Sequence, residues 1–236
     1  MATAQMTAQN RNILARGLLL VAAYVTLYGV ILFLSAGTFY WTEAWIFMAL
    51  FIIYFAVWLS WGLKNNPDLL IERAQSMSGK GKPWDTILVR VNLLVSVVVY
   101  ITAGLDAVRY GWSQVNFLLQ VIGFLMLAIG YILPLYALMN NPFASGTVRI
   151  QKDRGHRVST GGPYQFVRHP MYLGAITADF GIPFFLGSYW ALIPGTVMAI
   201  LFIYRTARED QTLQEELPGY KEYTKQVRYR LLPGIW

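Results

Sequence analysis

The residues best suited to chemistry crowd into two short stretches of the chain. The first runs from Asn140 to Gly174. It holds both histidines, His156 and His169, the basic residues Arg149, Lys152, Arg154, Arg157 and Arg168, and the tyrosines Tyr164 and Tyr172. Imidazole can donate and accept hydrogen bonds and can carry a proton near neutral pH, so a mouth holding two of them suits ligand binding or proton transfer. Gly161-Gly162-Pro163 demands a sharply turned backbone that a ligand could approach closely. The second stretch is Tyr204-Arg205-Thr206-Ala207-Arg208-Glu209-Asp210, followed by Glu215, Glu216, Gly219-Tyr220 and Tyr223. Arg205 and Glu209 are four apart and share one helix face. As a surface ion pair alone they would contribute only about 0.3–0.5 kcal/mol. The chain has no cysteine, which removes disulfides, thiolate catalysis and thiolate-ligated metals, and two histidines cannot build a multi-histidine metal centre.

The elements that must position these groups lie in a membrane. Of the 236 residues, 56% are hydrophobic and only 13% are charged, far from the balance of an ordinary soluble domain. Apolar runs near the roughly 20 residues needed to cross a bilayer occur at Ile13 to Leu34, Ala44 to Leu63, Ile87 to Ala107 and Phe117 to Met139. Two shorter ones, Met171 to Leu186 and Tyr189 to Tyr204, meet at Gly187-Ser188 and predict a tight helical hairpin. The fold expected is therefore all-α and polytopic, with about six transmembrane helices, or five and a re-entrant piece. Residues 1–139 would form a four-helix membrane body with a cytoplasmic loop at 64–85, and residues 140–236 a cofactor-binding catalytic region.

Charge orients this arrangement. With six spans and both termini cytoplasmic, 18 of the 19 lysines and arginines fall on one side, and Arg109 alone falls on the other. The net charge of +7 thus reflects topology and gives no reason to expect nucleic acid. The first apolar run lacks a small-residue cleavage site and reads as a retained helix. Within the 64–85 loop, Asp68 to Met77 reads as a short interfacial helix, followed by a flexible stretch from Ser78 to Pro83 that serves as a surface connector or a substrate gate. A hairpin returns the chain to the face it left, so the two chemical stretches should meet. Asp179, a carboxylate deep in the hairpin, is a functional candidate by position. Its ordinary reading is a protonated side chain, or one bonded to Thr177 or to backbone freed near Pro183.

Arg168-His169-Pro170-Met171-Tyr172-Leu173-Gly174, preceded by Gly162-Pro163-Tyr164 and followed by Arg205, Glu209-Asp210, Gly219-Tyr220 and Arg230-Leu231-Leu232-Pro233, resembles the isoprenylcysteine carboxyl methyltransferase family and its phospholipid N-methyltransferase relatives. The resemblance covers about residues 140–236 and is architectural before that. It implies an integral-membrane methyltransferase using S-adenosyl-L-methionine. Gln151, His156, Tyr164, His169, Pro170, Tyr172 and Glu209 would line the cofactor pocket. Arg205 would face a lipophilic acceptor, an isoprenylcysteine-type carboxylate or a related group, entering from the bilayer. Arg205, Glu209 and His169 would be the catalytic set. The Gln151 match needs a two-residue gap, and Asp210 stands where the family usually has a second glutamate.

The chemistry of that cofactor agrees with these residue types. Tyr164 and Tyr172 offer aromatic faces to a sulfonium or an adenine. Glu209 can accept from an ammonium or a ribose, and His156 or His169 can meet a carboxylate or a ring nitrogen. A carboxylate acceptor would need no base, and Arg205 would orient it with a charge-assisted fork. An amine acceptor would need a proton removed, with His169 or Asp210 as candidates. The glycine-rich turn of a Rossmann domain is absent. The same Arg-His-Pro-x-Tyr-x-Gly block also resembles NADPH-dependent membrane reductases of the sterol-reductase type. A non-enzymatic membrane scaffold is a third reading.

Overall fold

The computed structural model describes residues 8–75 and 81–236. Among them the regular structure is entirely helical. The helices are α1 (Ala8–Ala36), α2 (Thr42–Asn65), α3 (Pro67–Ala74), α4 (Pro83–Gly104), α5 (Phe117–Met139), α6 (Pro170–Leu186), α7 (Leu192–Glu216) and α8 (Tyr220–Gln226). A π-helical turn, Leu105–Tyr110, extends α4, and short 3-10 turns lie at Lys152–Arg154 and Gly162–Gln165.

Among the described residues, four helices are long and apolar enough to cross a membrane: Asn12–Ala36, Thr42–Asn65, Pro83–Tyr110 and Phe117–Met139. They coincide with the four long apolar runs of the sequence. The hairpin forms as well, from α6 and α7, but its arms are unequal. α6 has 17 residues, about 25 Å at 1.5 Å per residue, short of a ~30 Å hydrocarbon layer. α7 has 25 residues, apolar at its start and charged from Arg205 onward. Only its first half can lie in lipid; the second half projects beyond it.

Local chemistry sets the ends of these elements. The Asn66 side chain caps α3 by accepting from the Leu69 amide, and Pro67 occupies the first helical position, where a missing N–H is harmless. A short helix is expected within Asp68 to Met77; the helix formed starts at Pro67 and ends at Ala74. Half of the connector expected from Ser78 to Pro83, residues 78–80, lies outside the described residues. Pro170 opens α6 in the same way, directly after His169. Gly187 closes α6 at φ +84°, and the Ser188 amide donates back to the Pro183 carbonyl.

α6 is held mainly by α5. Small residues meet along this seam: Gly123 faces Phe184 and Phe185, Gly130 faces Ala178, and Gly174 faces Pro134, each leaving no space for a β-carbon. Backbones can approach this closely only where side chains are absent, which is how apolar helices pack in lipid without a hydrophobic driving force between them. The seam fixes where the first turn of α6, and therefore His169 and Tyr172, sits.

Ion pairs and buried carboxylates tie the loops at the two ends of the bundle. At one end Arg205 pairs with Asp85, Arg149 with Glu72 and Lys82 with Glu216. At the other, fully buried Asp106 accepts from Ser113 Oγ and Ser188 Oγ, both at 2.6 Å, and from the Trp190 amide at 3.2 Å. Asp106 thereby ties the hairpin turn to the end of α4. Asp179 is buried within α6, and one carboxylate oxygen has no hydrogen-bond partner among the described residues. Thr177 does not bond it, because its hydroxyl donates to the Leu173 carbonyl.

Candidate active site

The two chemical stretches do meet. They line an open cleft at the charged end of the bundle, about 790 Å³ when the space open to solvent is counted. Its walls are the 141–149 loop, the 156–159 segment, Tyr164, the first turn of α6, the Arg205–Leu213 face of α7, and α8. Six of the residues expected from the sequence line it: His156, Tyr164, His169, Tyr172, Arg205 and Glu209.

His169 is the last residue before α6, and its ring lies parallel to that of Tyr172, 5.8 Å between centroids. Its Nε2 is 3.1 Å from Asp210 Oδ1. A carboxylate accepts, so Nε2 carries a proton. Tyr172 donates its hydroxyl to Glu209 Oε2. His156 packs on Phe143 with centroids 4.8 Å apart, and its Nδ1 accepts from the Gln151 amide at 3.3 Å. Burial, and then the charges of Arg149 and Arg154, push His156 down to about 4. It is therefore a neutral ring at physiological pH, with Nε2–H as its donor.

Asp210, a candidate base for an amine acceptor, is taken up by a network of donors. It is fully buried and accepts from Arg168 at 2.8 and 3.0 Å, from Arg230 at 2.9 Å, from Tyr220 at 3.0 Å and from Gln214 at 2.8 Å, besides His169. Burial pushes its carboxyl up, but the bonds from His169 and Arg168 and the nearby Arg230 outweigh that and hold it far below the usual carboxylate range. Its role is mechanical. Arg168 also donates to the Val227 and Arg228 carbonyls, and the Arg168 and His169 amides donate to the Tyr229 and Arg230 carbonyls. The C-terminal segment is thus strapped across the start of α6, which orients His169.

Gln151 takes no place in the cleft wall. It is fully buried, its amide donates to the Phe143 carbonyl at 2.6 Å, and its carbonyl accepts from Arg154. It braces the loop carrying Phe143 and His156. Pro170 is buried behind the wall as the first residue of α6. Gly162 adopts φ +56°, but the group it lets approach is Asn140, not a ligand.

Asp85 joins the site without having been expected there. This residue lies in the first turn of α4, is fully buried, and accepts both Nε (2.6 Å) and Nη2 (3.0 Å) of Arg205, together with the Val148 amide at 2.7 Å. Arg205 also donates to the Gly146 carbonyl at 2.9 Å and stands 5.1 Å from the Tyr172 ring centroid. Glu72 of α3 likewise takes Arg149 in a fork, both contacts at 2.7 Å. A carboxylate in the first turn of a helix commonly reads as a dipole partner, so the Asp85 pairing had no signal in the sequence.

The chemistry of the lining fits S-adenosyl-L-methionine. Glu209, Tyr164 and Tyr172 present a carboxylate and aromatic rings, while Leu213 and Leu217 add an apolar wall.

Residues 118–218 match the phospholipid methyltransferase family, in keeping with the resemblance carried by Arg168 to Gly174 and its companions. Curated relatives include the Delta(14)-sterol reductase TM7SF2 of Mus musculus, 30% identical over 104 residues, with 41% of this chain and 24% of that protein covered. Another is the Delta(14)-sterol reductase ERG24B of Gibberella zeae, 27% identical over 134 residues, with 41% and 28% covered. The chain spans about a quarter of the length of these relatives.

Proposed function

We propose, on the premise of that family match, that this chain is an integral-membrane methyltransferase that uses S-adenosyl-L-methionine and methylates a lipophilic acceptor. The cofactor would reach the cleft from the cytoplasm, and the acceptor from the bilayer. One observation carries the choice of cofactor. Among the arginines lining the cleft, Arg149, Arg168 and Arg205 are each forked onto a carboxylate, Glu72, Asp210 and Asp85 respectively, and only Arg157, at the exposed rim, is not so paired. Glu209 meanwhile faces the cavity. A lining in which three of four arginines are already held by carboxylates, and which offers a carboxylate and tyrosine rings, favours a cation and is less suited to the phosphates of NADPH.

The bound cofactor supplies an electrophilic methyl group on a sulfonium. The remaining tasks belong to the protein. Tyr172 and His169, stacked at the start of α6, and Tyr164 opposite would hold the cofactor in place. Glu209, positioned by the Tyr172 hydroxyl, would hold its cationic end. His156 would present a neutral Nε2–H donor. Since methyl transfer is an in-line displacement, alignment and exclusion of water account for much of the rate.

The second reading is an NADPH-dependent membrane reductase, favoured by the names of the two relatives. Thermal-shift and calorimetric titration of the purified protein separate the two. S-adenosylhomocysteine is expected to bind and stabilise, and NADPH to leave the protein unaffected. Stabilisation by NADPH alone would overturn the methyltransferase reading.

A further inference from the structure

A second, open cavity, about 400 Å³ when the space open to solvent is counted, lies between α4 and α7. Leu88, Val89 and Asn92 line it from α4, and Leu201, Phe202 and Arg205 from α7. Asp85, Leu88, Val89 and Asn92 recur at helical spacing, so the cavity lies along the α4 face that begins at Asp85. Ile87 and Val91 beside it on α4, and Ile200 and Ile203 on α7, are exposed apolar residues of the kind that face lipid. Arg205 lines this cavity and the cofactor cleft alike. It is the shared wall between a lipid-side space and the site of the reaction.

Two features define what that space would accept. The Arg205 guanidinium is already forked onto fully buried Asp85, so the wall carries no net positive charge. A carboxylate arriving there would have to displace Asp85, stranding a buried anion, or sit beside it and repel it. Asn92, an amide within a membrane-spanning helix, makes no side-chain hydrogen bond to any described residue, and it faces the cavity. A polar side chain inside a span ordinarily finds a partner. Asn92 therefore offers both a donor and an acceptor to an uncharged polar group.

Building on the methyltransferase reading, we infer that the α4/α7 cavity is the acceptor compartment and that Asp85 is its specificity-determining residue. By neutralising Arg205, Asp85 selects a lipophilic acceptor with an uncharged hydroxyl-type or free-base end and rejects a carboxylate. On transfer, the acceptor heteroatom bonds to the methyl carbon, the S–CH₃ bond breaks with its electron pair left on sulfur, and the acceptor proton passes to Glu209. That residue lies one turn beyond Arg205 on α7, and its Oε1 takes no hydrogen bond from a described residue.

The test is photolabelling of the full chain in phosphatidylcholine nanodiscs. Two dodecyl probes carry the same diazirine and differ only in the head group, an alcohol or a carboxylate. Labelled positions are mapped by mass spectrometry, and S-adenosylhomocysteine binding is measured on the same samples. In the wild type the alcohol probe should label Leu88, Val89, Asn92, Leu201 or Phe202 on the order of tenfold more than the carboxylate, as a net charge difference at a buried site implies. Asp85→Asn should reverse that preference, and Asp85→Asn with Arg205→Gln should restore it. Equal or stronger carboxylate labelling in the wild type, or no labelling of these helices, overturns the inference. The wild-type comparison is decisive even if the variants do not fold. Loss of S-adenosylhomocysteine binding with the labelling preference intact would instead count against the methyltransferase reading.

Discussion

Asp85 and Arg205, 120 positions apart in the chain, form a two-point ion pair with contacts of 2.6 and 3.0 Å. It links the start of α4 to the charged half of α7 across the mouth of the bundle. Asp85 is fully buried and Arg205 nearly so, with side-chain exposures of 0% and 12%. Removing one partner strands the other, which typically destabilises by about 3–5 kcal/mol, whereas replacing both with apolar groups of similar volume is often close to neutral. Asp85→Ala should therefore lower thermal stability in detergent far more than Asp85→Leu combined with Arg205→Met. Equal losses would show that the pair is not what holds α4 to α7.

Cofactor affinity should depend on His169 and Glu209 more than on Asp210's immediate chemistry. His169→Ala and Glu209→Ala are expected to weaken S-adenosylhomocysteine binding at least roughly tenfold, the loss of one charge-assisted or well-placed polar contact. Gln151→Leu should change binding only indirectly, through the Phe143 loop it braces. Unchanged affinity in both His169→Ala and Glu209→Ala, measured calorimetrically, would remove the cofactor assignment.

Asp210 holds the C-terminal segment in place. Asp210→Asn leaves Arg168 and Arg230 without a carboxylate and is expected to free residues 227–236. Limited trypsin digestion should then cut at Arg228 and Arg230 much faster than in the wild type. Resistance equal to the wild type would place the strapping force elsewhere, in the backbone bonds to Tyr229 and Arg230.

His156 makes stability depend on pH in one direction. Its folded value is about 4 against an ordinary 6.5, so the unfolded chain binds more protons between those values. The stabilisation is complete above about pH 6.5 and is lost as pH falls toward 4. Denaturation followed across that window should be shallower in His156→Gln. An identical slope would mean that other groups govern acid sensitivity.

The α5/α6 seam should not tolerate bulk. Gly130→Leu would drive a side chain into Ala178, and overpacking of this kind typically destabilises by about 1–3 kcal/mol. Because the seam sets the first turn of α6, S-adenosylhomocysteine affinity should fall with stability. A stable variant with normal affinity would mean that α6 is positioned from elsewhere.

The four long spans and the short hairpin could be read from the sequence, because each rests on a local quantity: run length or apolar content. The gathering of His156, Tyr164, His169, Tyr172, Arg205 and Glu209 also followed, since a hairpin must bring its two ends to the same face. What partners each charge takes was decided only by the tertiary structure. Arg205 looked free to grip an acceptor until α4 packed Asp85 against it. Asp210 looked like a spare base until Arg168, Arg230, Tyr220 and His169 converged on it. A buried carboxylate and guanidinium must find each other in a low-dielectric interior, and which ones do so depends on contacts between residues distant in the chain, a relationship that spacing along one helix cannot encode.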